Sequence, residues 1–226
     1  RAAGLAVLTV PGNHDVPLYD VARRLFTPLR RYHRYITHDL SPWFENDEVA
    51  VLGINTSRAL AVTGGRINRS QMQMIEERFR AVESQKTRIL VTHHPLFALP
   101  IGKGDALGGA VGRSEDAVAA LGRAGVHLAL AGHFHRTYAE AASRMMETAG
   151  HALVVQAGTA TSTRLRAEER QSFNWLDVRR HNDLELQVIA WDGHDFRHGN
   201  RVHYTYAEGA WQARPLRGEA APPPPE

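Results

Sequence analysis

The sequence predicts an α/β layered fold. Three observations point to it. Short apolar runs recur as far as Gln156, separated by segments with helical spacing. From about residue 173 the pattern changes to the alternation of an antiparallel sheet. The loops with unusual chemistry each follow an apolar run directly, the place where open α/β sheets present their ligand sites.

The elements follow in order. Residues 5–10, Leu-Ala-Val-Leu-Thr-Val, read as a buried strand ended by Pro11-Gly12. Residues 19–35 are helix-like and broken at Pro28. Val49–Ile54 is a second buried strand. Asn68 followed by Gln71 forms a capping signature, and Met72, Ile75 and Phe79 continue it with helical spacing. Residues 88–92 are a third strand, and 100–112 a Gly-rich loop. Ser114-Glu-Asp caps a helix that ends near Gly125. Residues 126–131 and 152–156 are the fourth and fifth strands. Residues 173–178, 184–191 and 202–206 alternate, with Leu184, Leu186, Val188 and Ala190 on one face. The domain is expected to span 1–213, with 214–226 a Pro-rich disordered tail.

Composition narrows the function classes. The 226 residues are 43% hydrophobic and 23% charged, ordinary for a globular chain able to bury a large core. Cysteine is absent, which excludes thiol chemistry and cysteine-ligated metals and fits a cytoplasmic location. Net charge is only +3, with no Lys/Arg block. No apolar run approaches a membrane span, and no leader segment is evident. The anomaly is histidine, present 13 times.

Three segments carry the chemistry: Gly12-Asn13-His14-Asp15, His93-His94-Pro95 and Gly132-His133-Phe134-His135. With the preceding runs as sheet neighbours, all three loops converge at one edge. Imidazoles, an amide oxygen and a carboxylate would meet there. Imidazole suits zinc, iron and manganese, and the asparagine oxygen adds a hard neutral donor. His133 and His135, two apart in extended chain, would point the same way. Any one segment alone reads as an ordinary turn or strand end; the three together favour a metal site.

In these elements, in this order, the chain resembles the calcineurin-like metallophosphoesterase superfamily. It is most similar to the small bacterial group containing the class III cyclic-nucleotide phosphodiesterases. The resemblance implies a four-layer α/β/β/α sandwich, here truncated at its N-terminus. It implies that Asn13, His93 and His133 are ligands of a second metal and His135 of a first. His14 matches the histidine that protonates the leaving oxygen, and Asp15 the carboxylate that orients it. His94 would sit behind the ligands or touch substrate. The implied reaction is hydrolysis of a phosphodiester or phosphomonoester by a metal-bound hydroxide at a two-metal site. The ions would be manganese, iron or zinc, and the substrate a small phosphate ester.

The family's upstream elements, D-x-H and G-D, have no match in the eleven residues before Gly12. The chain alone is therefore expected to be a fragment that holds at most one metal well, with weak or no activity. Asp192-Gly193-His194 and Gly104-Asp105 match those elements formally, but the first reads as a turn between strands. Arg58 and Arg164 are weaker candidates for phosphate contact. His33, His38, His127, His151, His181, His198 and His203 read as surface or structural. The rival reading is a non-catalytic protein that binds a ligand or partner at an incomplete metal site. A nucleic-acid module lacks its expected basic stripe with interleaved aromatics. Oligomeric state is left open.

Overall fold

The computed structural model describes residues 4–61, 64–97, 111–142, 150–163 and 169–216. Its centre is a parallel array built from four apolar runs. They are β2 (Val49–Ile54), β3 (Thr87–Thr92), β4 (Leu128–Ala131) and β6 (Leu153–Gln156). β1 (Trp43–Glu45) and β5 (Tyr138–Ala141) add antiparallel edges, giving the order β1-β2-β3-β4-β6-β5. A second, antiparallel sheet has the order β10-β9-β8-β7. Its strands are β7 (Ser172–Arg180), β8 (Asp183–Trp191), β9 (Phe196–Ala207) and β10 (Ala210–Leu216).

The runs are continuously apolar because both faces of the first sheet are buried. Ala50, Leu52 and Ile54 face α3 (Arg69–Arg80) and α4 (Ser114–Ala124), packing with Ile75, Phe79, Val118 and Leu121. Ile89, Leu128, Leu153 and Val155 face the second sheet and meet Leu184, Leu186, Tyr204 and Trp211. Burying each such side chain is worth about 1.5–3 kcal/mol, so the two clusters dominate stability. No helix among the described residues is long and apolar enough to cross a membrane.

Helix punctuation follows the sequence. Asn68 and Gln71 form the expected capping box on α3. Pro28 separates α1 (Val21–Phe26) from α2 (Arg30–Tyr35). α4 stops at Gly125, whose φ of 62° only glycine adopts readily. Its start differs from expectation: Ser114 is already helical, and Arg113, at φ 67°, precedes it with no side-chain cap.

Three other expectations need correction. Residues 5–10 join no sheet, and Leu5 and Val7 are 71% and 63% exposed. β1 occupies the edge of β2, pairing Trp43 with Leu52. The extended segment instead lays Leu8 and Val10 against the Gly53 position, and its Thr9 Oγ1 accepts from the Tyr32 hydroxyl at 3.0 Å. In β8, the shared face breaks at a bulge between Gln187 and Ile189, which buries Ile189 in place of Val188 and Ala190. Finally, β10 carries the chain through Arg214 to Leu216, paired with β9, where a tail was expected. Residues 217–226 lie outside the described residues.

Candidate metal centre

All four parallel strands end at the same edge, and the loops after them form the site. After β3, Thr92 Oγ1 donates to the carbonyl of His94 at 2.8 Å, tightening the His93-His94-Pro95 turn. After β4, the Gly132 N–H donates to the His93 carbonyl at 3.0 Å and ties the two loops together. Pro11 ends the extended segment, and Asn13–Asp15 forms one 3-10 turn.

The side chains converge as the sequence suggests. His93 Nε2 lies 2.9 Å from Asn13 Oδ1 and 3.3 Å from His133 Nδ1. His94 joins them: one nitrogen each of His93, His94 and His133 fall within 4.8 Å of one another. His94 is buried, and its Nδ1 lies 2.9 Å from Thr56 Oγ1, so any metal contact by His94 falls to Nε2. His135 is outside this tight group, although it lies close enough to His93 to influence its charge.

Burial, followed by the neighbouring His133, His14 and His135, pushes the His93 imidazole down to about 4. His93 is thus neutral at pH 7, with a lone pair to offer. Neutral imidazoles beside an amide oxygen suit a borderline divalent cation, so the residues fit the metal that their chemistry implies.

The Gly132–His135 loop is not extended. His133 has φ 79° and His135 φ 56°, both left-handed. The Phe134 N–H donates to the Gly132 carbonyl at 3.0 Å, closing a tight turn on His133. Non-glycine residues in such conformations cost on the order of 1–3 kcal/mol each. The surroundings hold them there. Phe134 is buried and anchors the loop, and the Gln156 amide donates to the Gly132 carbonyl from beneath.

His14 and Asp15 are exposed at the rim. The Asp15 carboxylate accepts the Gly12 N–H at 2.8 Å and locks the turn. The pairing of Asp15 with His14 is not formed, because the carboxylate is turned back onto its own backbone. Arg58 is likewise committed. Its guanidinium donates to the carbonyls of Asn55 and Ser57 and to Gln71 Oε1. Three of its five N–H groups thus brace its own loop. Arg164 and Gly104-Asp105 lie outside the described residues. Asp192 forms a turn, accepting the N–H groups of His194 and Asp195 at 2.8 Å.

Four positions escaped sequence reasoning. Thr56 holds His94, and Ser57 Oγ donates to the Pro11 carbonyl at 3.1 Å. Gln156 holds the histidine turn. Gly65 lies against the His94 ring, where a Cβ would come within 2.5 Å of Cγ. The one legible signal was a polar Asn55-Thr-Ser directly after an apolar strand.

The family described as calcineurin-like phosphoesterase matches residues 2–137. No curated protein matches the sequence. Among solved structures the chain is similar to purple acid phosphatase PPD1 from yellow lupin (Lupinus luteus) seeds. The identity is 17% and the TM-score 0.47, over 70% of this chain and 32% of that one. The family match spans more than half of the sequence, and the chain belongs to the calcineurin-like phosphoesterase family.

Proposed function

We propose that this chain provides the histidine-rich side of a metal-dependent phosphoesterase acting on a small phosphodiester or phosphomonoester. The observation that carries this reading is the convergence of Asn13 Oδ1, His93 Nε2 and His133 Nδ1 beside the ends of β3 and β4. Asn13, His93 and His133 would hold a manganese, iron or zinc ion, with His94 or His135 completing its surroundings. A cation of this kind supplies Lewis-acid polarisation of a phosphoryl oxygen.

The chain's own groups do the rest. His14, exposed and near enough to His93 to influence its charge, would give a proton to a departing oxygen. Asp15 fixes the turn that carries His14 by accepting the Gly12 N–H. Thr56 and Gln156 keep His94 and the His133 turn in place. The tight group contains imidazoles and no carboxylate among the described residues. Neutral donors do not offset the repulsion of two adjacent dications, so one ion per chain is expected.

That absence of a carboxylate also favours a second reading, a protein that binds metal or ligand without catalysis. Calorimetric titration with Mn²⁺ and Zn²⁺, paired with hydrolysis of bis(p-nitrophenyl) phosphate, separates the two. The first reading expects about one bound ion, lost in His93→Ala and His133→Ala, with hydrolysis that follows the bound ion. Binding without hydrolysis moves the balance to the second. Binding that is unaffected by both substitutions rejects the site itself.

A further inference from the structure

The metal centre leaves a cavity of about 670 Å³ unexplained. It lies between α1 and α2, and none of the metal-site residues lines it. Leu29 and Leu40 form its floor, part of a small cluster with Val16 and Tyr32. Phe26 stands at its rim, 83% exposed. The volume falls within the range of small-molecule sites, roughly 300–1,000 Å³.

Its charged groups are one-sided. Arg30 and Arg34 sit one helical turn apart on α2, and both line the cavity. Neither forms an ion pair or a side-chain hydrogen bond among the described residues, and the Arg34 guanidinium carbon lies 5.3 Å from the centre of the Tyr35 ring. No aspartate or glutamate is in the lining. Like charges spaced i,i+4 repel, and an anion between them relieves that cost. A planar guanidinium also matches carboxylate, sulfonate or phosphate oxygens in a two-pronged fashion.

The remaining wall is flat. The His33 and His38 rings stack 5.0 Å apart at an interplanar angle of 5°. His33 Nδ1 lies 3.2 Å from the Thr37 carbonyl, which can only accept. Nδ1 therefore carries the proton, and the ring plane is fixed by its own backbone. An aromatic body would lie against this stack and over the leucine floor. Solvated arginines are ordinary on an arginine-rich chain, and so are scattered exposed apolar residues. Here two arginines without ion pairs, the apolar floor and the imidazole stack line the same cavity.

We infer that the α1–α2 cavity binds an organic anion with a flat aromatic body, its charged head between Arg30 and Arg34. The site is separate from the metal centre and does not depend on the phosphoesterase reading.

The test uses 2-naphthalenesulfonate, which carries head and body but no phosphate ester, titrated calorimetrically against the full chain. Saturable binding is expected, about tenfold weaker or worse in the exposed double variant Arg30→Ala/Arg34→Ala, as loss of charge-assisted hydrogen bonds requires. Arg30→Lys/Arg34→Lys should recover part of it, and His93→Ala should leave it unchanged. Four outcomes overturn the proposal. They are no saturable binding, equal binding to the alanine double variant, loss of binding in His93→Ala, and inorganic sulfate binding as tightly as the aryl sulfonate. The first two remove the cavity as a site, the third moves the anion to the metal centre, and the fourth removes the aromatic body from recognition.

Discussion

Gly12 lacks a side chain for a reason that concerns His93, not its own backbone. Its φ of −98° is open to any residue. A Cβ there would stand 2.8 Å from His93 Cε1 and Nδ1, in the space the imidazole fills. Gly12→Ala should push that ring off Asn13 and lower Mn²⁺ or Zn²⁺ affinity by about tenfold or more, with the far-ultraviolet dichroism unchanged. Wild-type affinity in this variant would mean that the ring has room to move and that the contact is incidental. Gln156 works from the other side. It is fully buried, and its amide is the donor that meets the Gly132 carbonyl. Gln156→Leu keeps the bulk and removes the donor, leaving the part-buried Gly132 carbonyl with the Phe134 N–H alone. The expected loss is about 1–3 kcal/mol in urea unfolding, together with weaker metal binding. Loss of stability with full metal affinity would show that the turn on His133 holds itself.

At the scale of elements, helix α3 does more than cover the sheet. Gln71 completes the capping box, accepts from Arg58 and donates through Nε2 to the Asn55 carbonyl at 2.7 Å. The start of the helix is thereby joined to the loop that supports His94 through Thr56. Asn68→Ala removes the cap and the exposed Ser70 contact and should cost about 1 kcal/mol. Gln71→Ala should cost more and also weaken metal binding, because the loop is released; equal costs and equal affinities would uncouple helix from loop. The same contrast explains what could be read in advance. The cap of α3, the break at Pro28 and the apolar strands are local patterns in consecutive residues, and they stand in the sequence. Asn13, His93 and His133 were legible because each sits in a short motif after an apolar run. Thr56 and Gln156 were not, because their importance lies in partners 38 and 24 residues away. The left-handed turn at His133 was invisible too, since nothing in Gly-His-Phe-His demands positive φ at a histidine. Residues 5–10 have every mark of a strand, yet pairing depends on which edge is vacant, a property of the assembled sheet.

Across the whole molecule, the end of the sheets opposite the metal centre is closed by a second group of histidines. His127 precedes β4, His151 precedes β6 and His181 turns β7 into β8. The His127 ring lies 5.2 Å from His151 and 4.9 Å from His181, and His151 lies 5.4 Å from Tyr206 on β9. From β10, Trp211 Nε1 donates to the His151 carbonyl at 2.6 Å. The two sheets therefore meet there on imidazoles, with Arg88 beside them and its N–H donating to His127 Nδ1 at 2.9 Å. Burial, then His151, His181 and Arg88, pushes His127 down to about 3, and burial lowers His151 as well. An unfolded histidine takes its proton near pH 6.5, whereas folded His127 refuses it until about 3. Between those values the unfolded chain binds more protons, so stability is present at neutral pH and is lost progressively as pH falls through that window. His93, held down to about 4, adds in the same direction. Glu169, which burial holds above the usual carboxylate range, acts in the opposite one. The melting temperature should fall on the order of 10 °C between pH 7 and pH 4.5, with the lowered carboxylates Glu45 and Asp192 adding to the loss only toward the acid end of that range. His127→Asn keeps an acceptor for the Arg88 N–H but cannot titrate, so its melting temperature should be flatter across pH 4.5–6.5. A variant profile parallel to wild type would show that the histidine junction is not what acid opens first, and would return the loss to the metal-site imidazoles at the other end of the sheet.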